Sequence, residues 1–212
     1  GMTPLHLAAC NDHVEALKTL LQLSANIDAK TARGETPLHS AAAYGHAEAV
    51  KTLLQLSADI EAKTADGATP LHCAAANGHV EAVKTLLQLS ANIEAKAVYG
   101  RTPLHSAARN GHVEALKMLV ELSADIEAKT ARGATPLHTA AGNGHVEAVK
   151  TLVELSANIE AKTAAGLTPL HLAAAKGHVD AVKTLLQLSA DIQAETADAI
   201  TPLHPAAIYL QL

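Results

Sequence analysis

Thr36-Pro37-Leu38-His39 is one of seven copies of the same tetrapeptide, and each copy begins 33 residues after the one before. The copies begin at Thr3, Thr36, Thr69, Thr102, Thr135, Thr168 and Thr201. A fixed period of this length indicates a repeat architecture. The period divides the chain into repeats at residues 1–33, 34–66, 67–99, 100–132, 133–165 and 166–198, with a partial seventh at 199–212. Stacked repeats share a continuous core, so the sequence predicts a single solenoid over residues 1–212.

Each repeat is predicted to contain two short helices. In the second repeat, Thr36 can cap a helix through its hydroxyl group, and Pro37 suits the first helical position, where no N–H is needed. Gly45 can end this helix, because glycine accepts the left-handed conformation that is common there. Val50 and Leu53 then mark the apolar face of a second helix. The repeat is completed by an extended segment and a turn.

The repeat resembles the ankyrin repeat. The resemblance is carried by the run G-x-T-P-L-H-x-A-A-x-x-G-H-x-E-A and by the segment A-D-I-E-A, and it covers the whole chain. It implies an all-α fold, an ankyrin-repeat solenoid of stacked helix-turn-helix units. It also implies that β-turn fingers project along a concave face.

The residue after the second helix departs from the family pattern, because serine stands where the family usually has glycine. These serines are Ser24, Ser57, Ser90, Ser123, Ser156 and Ser189. A residue other than glycine costs about 1–2 kcal/mol in the left-handed region. The sequence therefore leaves two alternatives open: each repeat carries this strain, or the helix ends in another way.

Composition and charge narrow the class of protein. The chain is 49% hydrophobic but only 1% aromatic, with no Trp and no Phe, so its core must be aliphatic. The net charge of −5 gives no general attraction to nucleic acid or to an anionic membrane. No apolar run has the length of a membrane span. We therefore expect no nucleic-acid partner and no membrane association.

The two cysteines bear on the cellular compartment. Cys10 and Cys73 lie nearly two repeats apart, too far for a disulfide between stacked units. Free thiols and the lack of a recognisable signal sequence predict an intracellular protein, most simply a cytoplasmic one.

All 13 histidines fall at two repeated places, the end of the tetrapeptide and the position after the first helix. Histidine is a common metal ligand, but a zinc site needs clustered ligands at characteristic spacing, and no such cluster stands out. The sequence favours structural histidines that bridge backbone and hydroxyl groups between adjacent turns. We expect no metal and no cofactor.

The two cysteines and their neighbouring histidines are the candidate catalytic groups in the sequence. Cys73 follows His72, and Cys10 precedes His13 by three residues, so each is a conceivable nucleophile and base pair. Other repeats carry small residues at both cysteine positions, however, as interchangeable residues would. No glycine-rich phosphate loop is present. The sequence therefore predicts that the protein is not an enzyme.

Differences between the repeats point to a binding surface. They concentrate beside the repeat glycine, after the tetrapeptide and before the Gly-His pair, positions that the family places on finger tips and on the groove side of the first helix. Arginine and tyrosine are typical of interface hot spots. The predicted partner-binding residues are Arg33, Glu35, Tyr44, Asp66, Tyr99, Arg101, Arg109 and Arg132. The alternative is that the amino acids at exposed positions vary without a role in binding.

The sequence thus predicts a protein–protein interaction module that binds through its concave finger and inner-helix surface. The basic and aromatic residues favour a protein partner with an acidic, partly apolar surface. The alternative is a structural or self-assembling repeat array, natural or engineered, with no dedicated partner. Its weak self-association would use uncapped ends, around Leu5 and Leu17 on one side and Ile208 and Leu210 on the other.

Overall fold

The structure is a computed structural model and describes residues 1–196 and 201–202. The chain forms two compact units, Gly1–Val98 and Tyr99–Leu212. The first unit contains helices α1 (Pro4–Cys10), α2 (Val14–Gln22), α3 (Pro37–Ala43), α4 (Ala47–Gln55), α5 (Pro70–Ala76) and α6 (Val80–Gln88). The second contains α7 (Pro103–Asn110), α8 (Val113–Glu121), α9 (Pro136–Gly142), α10 (Val146–Glu154), α11 (Pro169–Ala175) and α12 (Val179–Gln187). A 3-10 turn occupies Val98–Gly100.

The described residues contain helices and turns but no strand, which confirms the predicted all-α class. Each of the six full repeats contributes a first helix of odd number and a second helix of even number. First helices pack on first helices and second helices on second helices, as in α1 on α3 and α2 on α4, and likewise α7 on α9 and α8 on α10. The prediction of one solenoid over residues 1–212 stays a prediction.

The tetrapeptide starts each first helix as predicted. Thr36 is the N-cap of α3 and Pro37 is its first helical residue. The Thr36 N–H also donates to the His39 Nδ1 atom at 3.1 Å. This is the geometry of a capping box, with imidazole in the place where glutamate or glutamine is usual.

The core is built from leucine and alanine. Leu38 and Leu53 are fully buried, as are Ala41 and Ala42 on the inner side of α3. Small alanine side chains let neighbouring helices lie close together, and leucine fills the space between the two helices of a repeat. The aliphatic core expected from the composition is confirmed.

All six serines after the second helices lie in the left-handed region, with φ between 64° and 72°. Around Ser57, the Ala58 N–H donates to the Leu53 oxygen at 3.0 Å and the Ser57 N–H donates to the Leu54 oxygen at 3.0 Å. This pair of bonds is a Schellman motif. The structure therefore shows that each repeat carries the strain: the helix ends as is usual in the family, with serine in the left-handed conformation.

The prediction that Leu5 and Leu17 form an exposed apolar face at the N-terminal end is wrong. Leu5 is 1% exposed and Leu17 is 0% exposed, because α1 and α2 turn their apolar faces towards each other and towards α3 and α4. The exposed leucines of this repeat are Leu7, at 52%, and Leu23, at 77%. Ile208 and Leu210, expected at the other end, lie outside the described residues, as does most of the partial seventh repeat.

Carboxylates link successive repeats along one edge of each unit. In the first unit, the Asn92 N–H donates to Glu61 Oε1 at 2.7 Å. In the second, the Asn158 N–H donates to Glu127 Oε1 at 2.7 Å and the Asp191 N–H donates to Glu160 Oε1 at 2.8 Å. Hydrogen bonds to a charged acceptor are stronger than neutral ones, so these acidic residues contribute to the stacking.

Candidate partner-binding surface

The tetrapeptide histidines join neighbouring repeats. Because the His39 Nδ1 atom accepts the Thr36 N–H, the ring proton lies on Nε2, which donates to the Ala68 oxygen at 3.0 Å. His138 repeats this arrangement in the second unit, donating to the Leu167 oxygen at 2.9 Å. The prediction of structural, bridging histidines is confirmed for these rings.

The histidines after the first helices form a second set of bridges. His79 Nε2 donates to the Ala43 oxygen of the preceding repeat at 2.9 Å. Its ring lies against Gly45, where a Cβ atom would come within 2.6 Å of Nδ1. Gly45 also has φ of 78°, so this position requires glycine both for its backbone conformation and for the close approach of the imidazole.

Burial lowers the pKa of His39 and of His138 below the ordinary imidazole value. Around His39, the Glu35 carboxylate opposes this effect and the Lys30 ammonium adds to it, whereas Lys129 adds to it around His138. Each of these two rings must be neutral to form its hydrogen bonds, because its Nδ1 atom accepts a main-chain N–H. Among the described residues, no group of three or more His, Cys, Asp or Glu side chains is placed to hold a metal ion.

The cysteine considered as a nucleophile lies in an environment that opposes the thiolate. Burial, with a smaller effect from the Glu35 carboxylate, raises the pKa of the Cys73 thiol to about 12. The thiol is therefore protonated at neutral pH, and a protonated thiol is a poor nucleophile. Cys10 and Cys73 are both free cysteines.

The fingers are β-turns closed by threonine. In the first finger, the Thr31 N–H donates to the main-chain oxygen of Glu35 at 2.9 Å. The Gly34 N–H donates to the main-chain oxygen of Thr31, also at 2.9 Å. The Thr31 hydroxyl oxygen accepts the Glu35 N–H at 3.2 Å. Adjacent fingers are tied together, since the Ala65 N–H donates to the Arg33 oxygen at 2.8 Å.

In the first unit, the predicted site residues lie on the fingers and at the end of a first helix. Arg33 and Asp66 are exposed finger residues, and Glu35 is half-buried at the base of its finger. Tyr44 follows α3, is 61% exposed, and stacks on the His46 ring with centroids 6.4 Å apart. These four residues bring charges of both signs to the fingers and one aromatic ring to the helix end.

In the second unit, the finger around Tyr99 is unusual. Tyr99 is 63% exposed and has φ of 62°, a rare conformation for a bulky residue. The Arg101 guanidinium carbon lies 5.5 Å from the centroid of its ring, which is the distance of a cation–π contact. Ala97 stands where the other described fingers have threonine, so this finger lacks the hydroxyl group that closes them. Strained residues cluster at functional sites.

A groove of about 220 Å³ gathers two of the predicted arginines in the second unit. It is lined by Arg101 and Arg109 together with Lys176 and Leu172. Arg109 lies in the last turn of α7 and Lys176 is the C-cap of α11, and both are exposed. Arg132, the remaining predicted residue, is exposed on the next finger. We call the exposed and half-buried residues on the fingers, first helices and first-helix ends of each unit its finger surface. In the first unit this surface contains Arg33, Glu35, Tyr44 and Asp66, and in the second it contains Tyr99, Arg101, Arg109, Arg132, Leu172 and Lys176.

The site prediction missed Lys176 and Leu172, which lie in the groove with the two arginines. The signal that could have found them was available, because both occupy positions that differ between repeats. Residue type alone favours arginine and tyrosine as interface residues and gives no reason to include lysine or leucine.

Comparison with known proteins identifies the family. The family described as "Ankyrin repeats (3 copies)" matches residues 1–64, 57–130 and 124–196. With most of the sequence matched and paired helices in every described repeat, the chain belongs to the ankyrin-repeat family. The predicted fold class, an all-α ankyrin-repeat solenoid, is confirmed. Domains of this family generally mediate protein–protein interaction.

Solved structures support the same conclusion. The human ASB11 ankyrin repeat domain is 31% identical, with a TM-score of 0.85, and the match covers 97% of this chain and 92% of that one. The ankyrin repeat domain of Bcl-3, described as a unique member of the IkappaB protein family, is 29% identical, with a TM-score of 0.80, and the match covers 96% and 93%. A search of curated proteins gave no match. Within residues 1–196 and 201–202, none of the helices has both the length and the apolar character to span a bilayer.

Proposed function

We propose that this chain is a non-catalytic module that acts inside the cell and binds a protein partner on its finger surface. One observation carries the proposal. Among the positions that differ between otherwise near-identical repeats, those just before the repeat glycine and at the first-helix ends are mostly exposed, whereas unvarying positions such as Leu38 and Leu71 are buried. Extended surfaces built from such positions are how stacked repeats recognise partners.

The residue types on this surface favour a partner that is acidic and partly apolar. Arginine binds carboxylates with two parallel hydrogen bonds, and tyrosine offers a broad apolar face with a polar tip. Tyr99 and Arg101 combine both properties within one finger, and the contact between them holds the guanidinium group over the ring. Side chains that are already in contact lose less side-chain entropy when they bind than side chains that are not.

The experiment is to identify a partner by affinity capture and to measure its affinity for matched variants by calorimetry. Replacing Tyr99 and Arg101 together by alanine should cost about 2 kcal/mol or more of binding free energy, as expected of hot spots. The control replaces Lys51 and Lys84, exposed on the second helices, and should leave the affinity unchanged. The thermal midpoint should hardly change in either variant, because none of the four side chains is buried.

Two results would contradict the proposal. If the lysine variant lost binding and the Tyr99 and Arg101 variant kept it, the second helices would be the recognition surface. A self-assembling array with no dedicated partner would instead capture only further copies of itself, and its mass in sedimentation equilibrium would rise with concentration.

A further inference from the structure

The two units differ in the charge of their finger surfaces. At the positions that vary between repeats, the first unit carries Arg33 with the acidic Glu35 and Asp66. At the same positions, the described part of the second unit carries Arg101, Arg109, Arg132 and Lys176, with no acidic residue. Asp198 occupies one of these positions but lies outside the described residues. A chain of net charge −5 thus places a local excess of positive charge on one surface.

Three of these cations line the groove of about 220 Å³, and the remaining side of the groove is partly apolar. Leu172, Ala134 and Gly142 contribute the apolar part of the lining. His138 also lines the groove, but its Nε2 atom is engaged with the Leu167 oxygen. Cations that meet in one concavity strengthen the local field, and the residues that line the groove include no aspartate or glutamate.

Helix capping alone does not account for these residues. Cations near a helix C-terminus are favourable because they oppose the helix dipole, which applies to Arg109 and Lys176. At the Lys176 position, however, four other repeats carry asparagine and the second carries Tyr44. The Asn143 amide donates to the Thr139 main-chain oxygen at 2.7 Å. Lysine has no amide to form this bond. At the Arg109 position the first repeat carries cysteine and the other full repeats carry alanine or glycine.

We propose that the groove lined by Arg101, Arg109 and Lys176 binds an acidic peptide segment of the partner protein, with side-chain carboxylates on the cations and a small apolar side chain against Leu172. The inference rests on the proposed function and specifies the chemistry that it recognises. The cations come from two different repeats, the fourth and the sixth. This spread suits several carboxylates along an extended segment better than the convergent oxygens of one phosphate group.

The electrostatics of the two units support this assignment. His138 in the groove lining has Lys129 as its charged neighbour, whereas the equivalent His39 in the first unit has both Glu35 and Lys30. An acidic segment would therefore meet mixed charge on the first finger surface and positive charge on the second. We therefore expect the acidic part of the partner to bind the finger surface of the second unit.

The experiment uses the whole chain and three labelled peptides of equal length in fluorescence anisotropy. The first peptide alternates glutamate and alanine around one leucine, the second replaces every glutamate by glutamine, and the third carries a single phosphoserine in the glutamine background. The test variant, Arg109→Ala with Lys176→Asn, introduces residues that other repeats carry at these positions. The control, Lys117→Gln with Lys183→Gln, removes the same charge from second helices of the same unit. Its two lysines form exposed ion pairs, which contribute little to stability.

The glutamate peptide should bind at least tenfold more tightly than the glutamine peptide. The test variant should lose at least tenfold in affinity for it, while the control changes by less than about twofold. Equal loss in the two variants, or equal binding of the glutamate and glutamine peptides, would overturn the inference. Tighter binding of the phosphoserine peptide than of the glutamate peptide would overturn the carboxylate assignment. If the groove fails these tests while a captured partner still depends on Tyr99 and Arg101, the proposed function stands and only the groove's ligand is wrong.

Discussion

At the scale of the residue, the serines that end the second helices are the clearest case of local strain. Ser57 has φ of 70° although it has a Cβ atom, which disfavours the left-handed region by about 1–2 kcal/mol. Its repeat tolerates this because the two Schellman hydrogen bonds satisfy the helix end. The strain identifies a position where substitution should raise stability.

Replacing Ser57 by glycine should therefore increase the free energy of unfolding. Relief of strain outweighs the greater freedom of glycine in the unfolded chain, which leaves a gain of about 0.5–1 kcal/mol. Chemical denaturation followed by circular dichroism measures it. Ser106→Gly is the matched control, because Ser106 lies inside α7, where glycine should lower stability by a similar amount. A loss of stability in Ser57→Gly would contradict the prediction.

The buried histidines should make stability depend on pH. Burial lowers the pKa of His39 and His138 below 6.5, so below this pH the unfolded chain binds protons more readily than the folded one. Their contribution is complete above about pH 6.5 and is lost as the pH falls towards the folded-state pKa values. Thermal midpoints measured between pH 7.5 and 5 should therefore decrease with decreasing pH. A midpoint that is constant or rises over this range would show that these rings do not titrate as described.

At the scale of the element, the fingers combine a repeated turn with individual side chains. Threonine closes the described fingers at Thr31, Thr64, Thr130 and Thr163, each through its hydroxyl oxygen. The finger of Tyr99 departs from this scheme in both its entry residue and its backbone. An element that keeps a strained tyrosine in an exposed position is poorly explained by stability alone.

Two substitutions at Tyr99 separate stability from binding. Tyr99→Gly should relieve the left-handed strain and raise the free energy of unfolding by about 0.5–1 kcal/mol, while it weakens partner binding through loss of the ring. Tyr99→Ala should weaken binding to the same extent but leave stability nearly unchanged, because alanine keeps the strain. Equilibrium unfolding and calorimetric titration of both variants measure the two effects. If Tyr99→Gly kept full affinity for the partner, the ring would have no part in recognition.

At the scale of the whole molecule, stability in a repeat protein is close to a sum of repeat and interface contributions. Strain relieved in separate repeats should therefore add, as it does for distant sites in general. The variant with glycine at positions 57, 90, 123 and 156 should be more stable than the parent by about 2–4 kcal/mol, which is four times the single effect. Single, double and quadruple variants measured under one condition test this. A quadruple gain no larger than a single one would show that the repeats do not contribute independently.

The sequence alone determined the parts of this protein that depend on local chemistry. The 33-residue period indicated paired helices, Thr36 and Pro37 located the start of a helix, and Gly45 located its end. The repeated histidines were recognised as structural because a residue required in every unit has a structural role. These features depend on neighbours close in sequence or on exact repetition, and both can be read from one chain.

The tertiary structure decided which side chains meet. It showed that Leu5 and Leu17 are covered, that Ser57 accepts a left-handed backbone, and that Lys176 joins Arg101 and Arg109 in one groove. The period says that these positions are equivalent, but their burial depends on the helices that pack on each face. Charged side chains from separate repeats come together only through packing between residues that are distant in sequence, so no local sequence pattern predicts it.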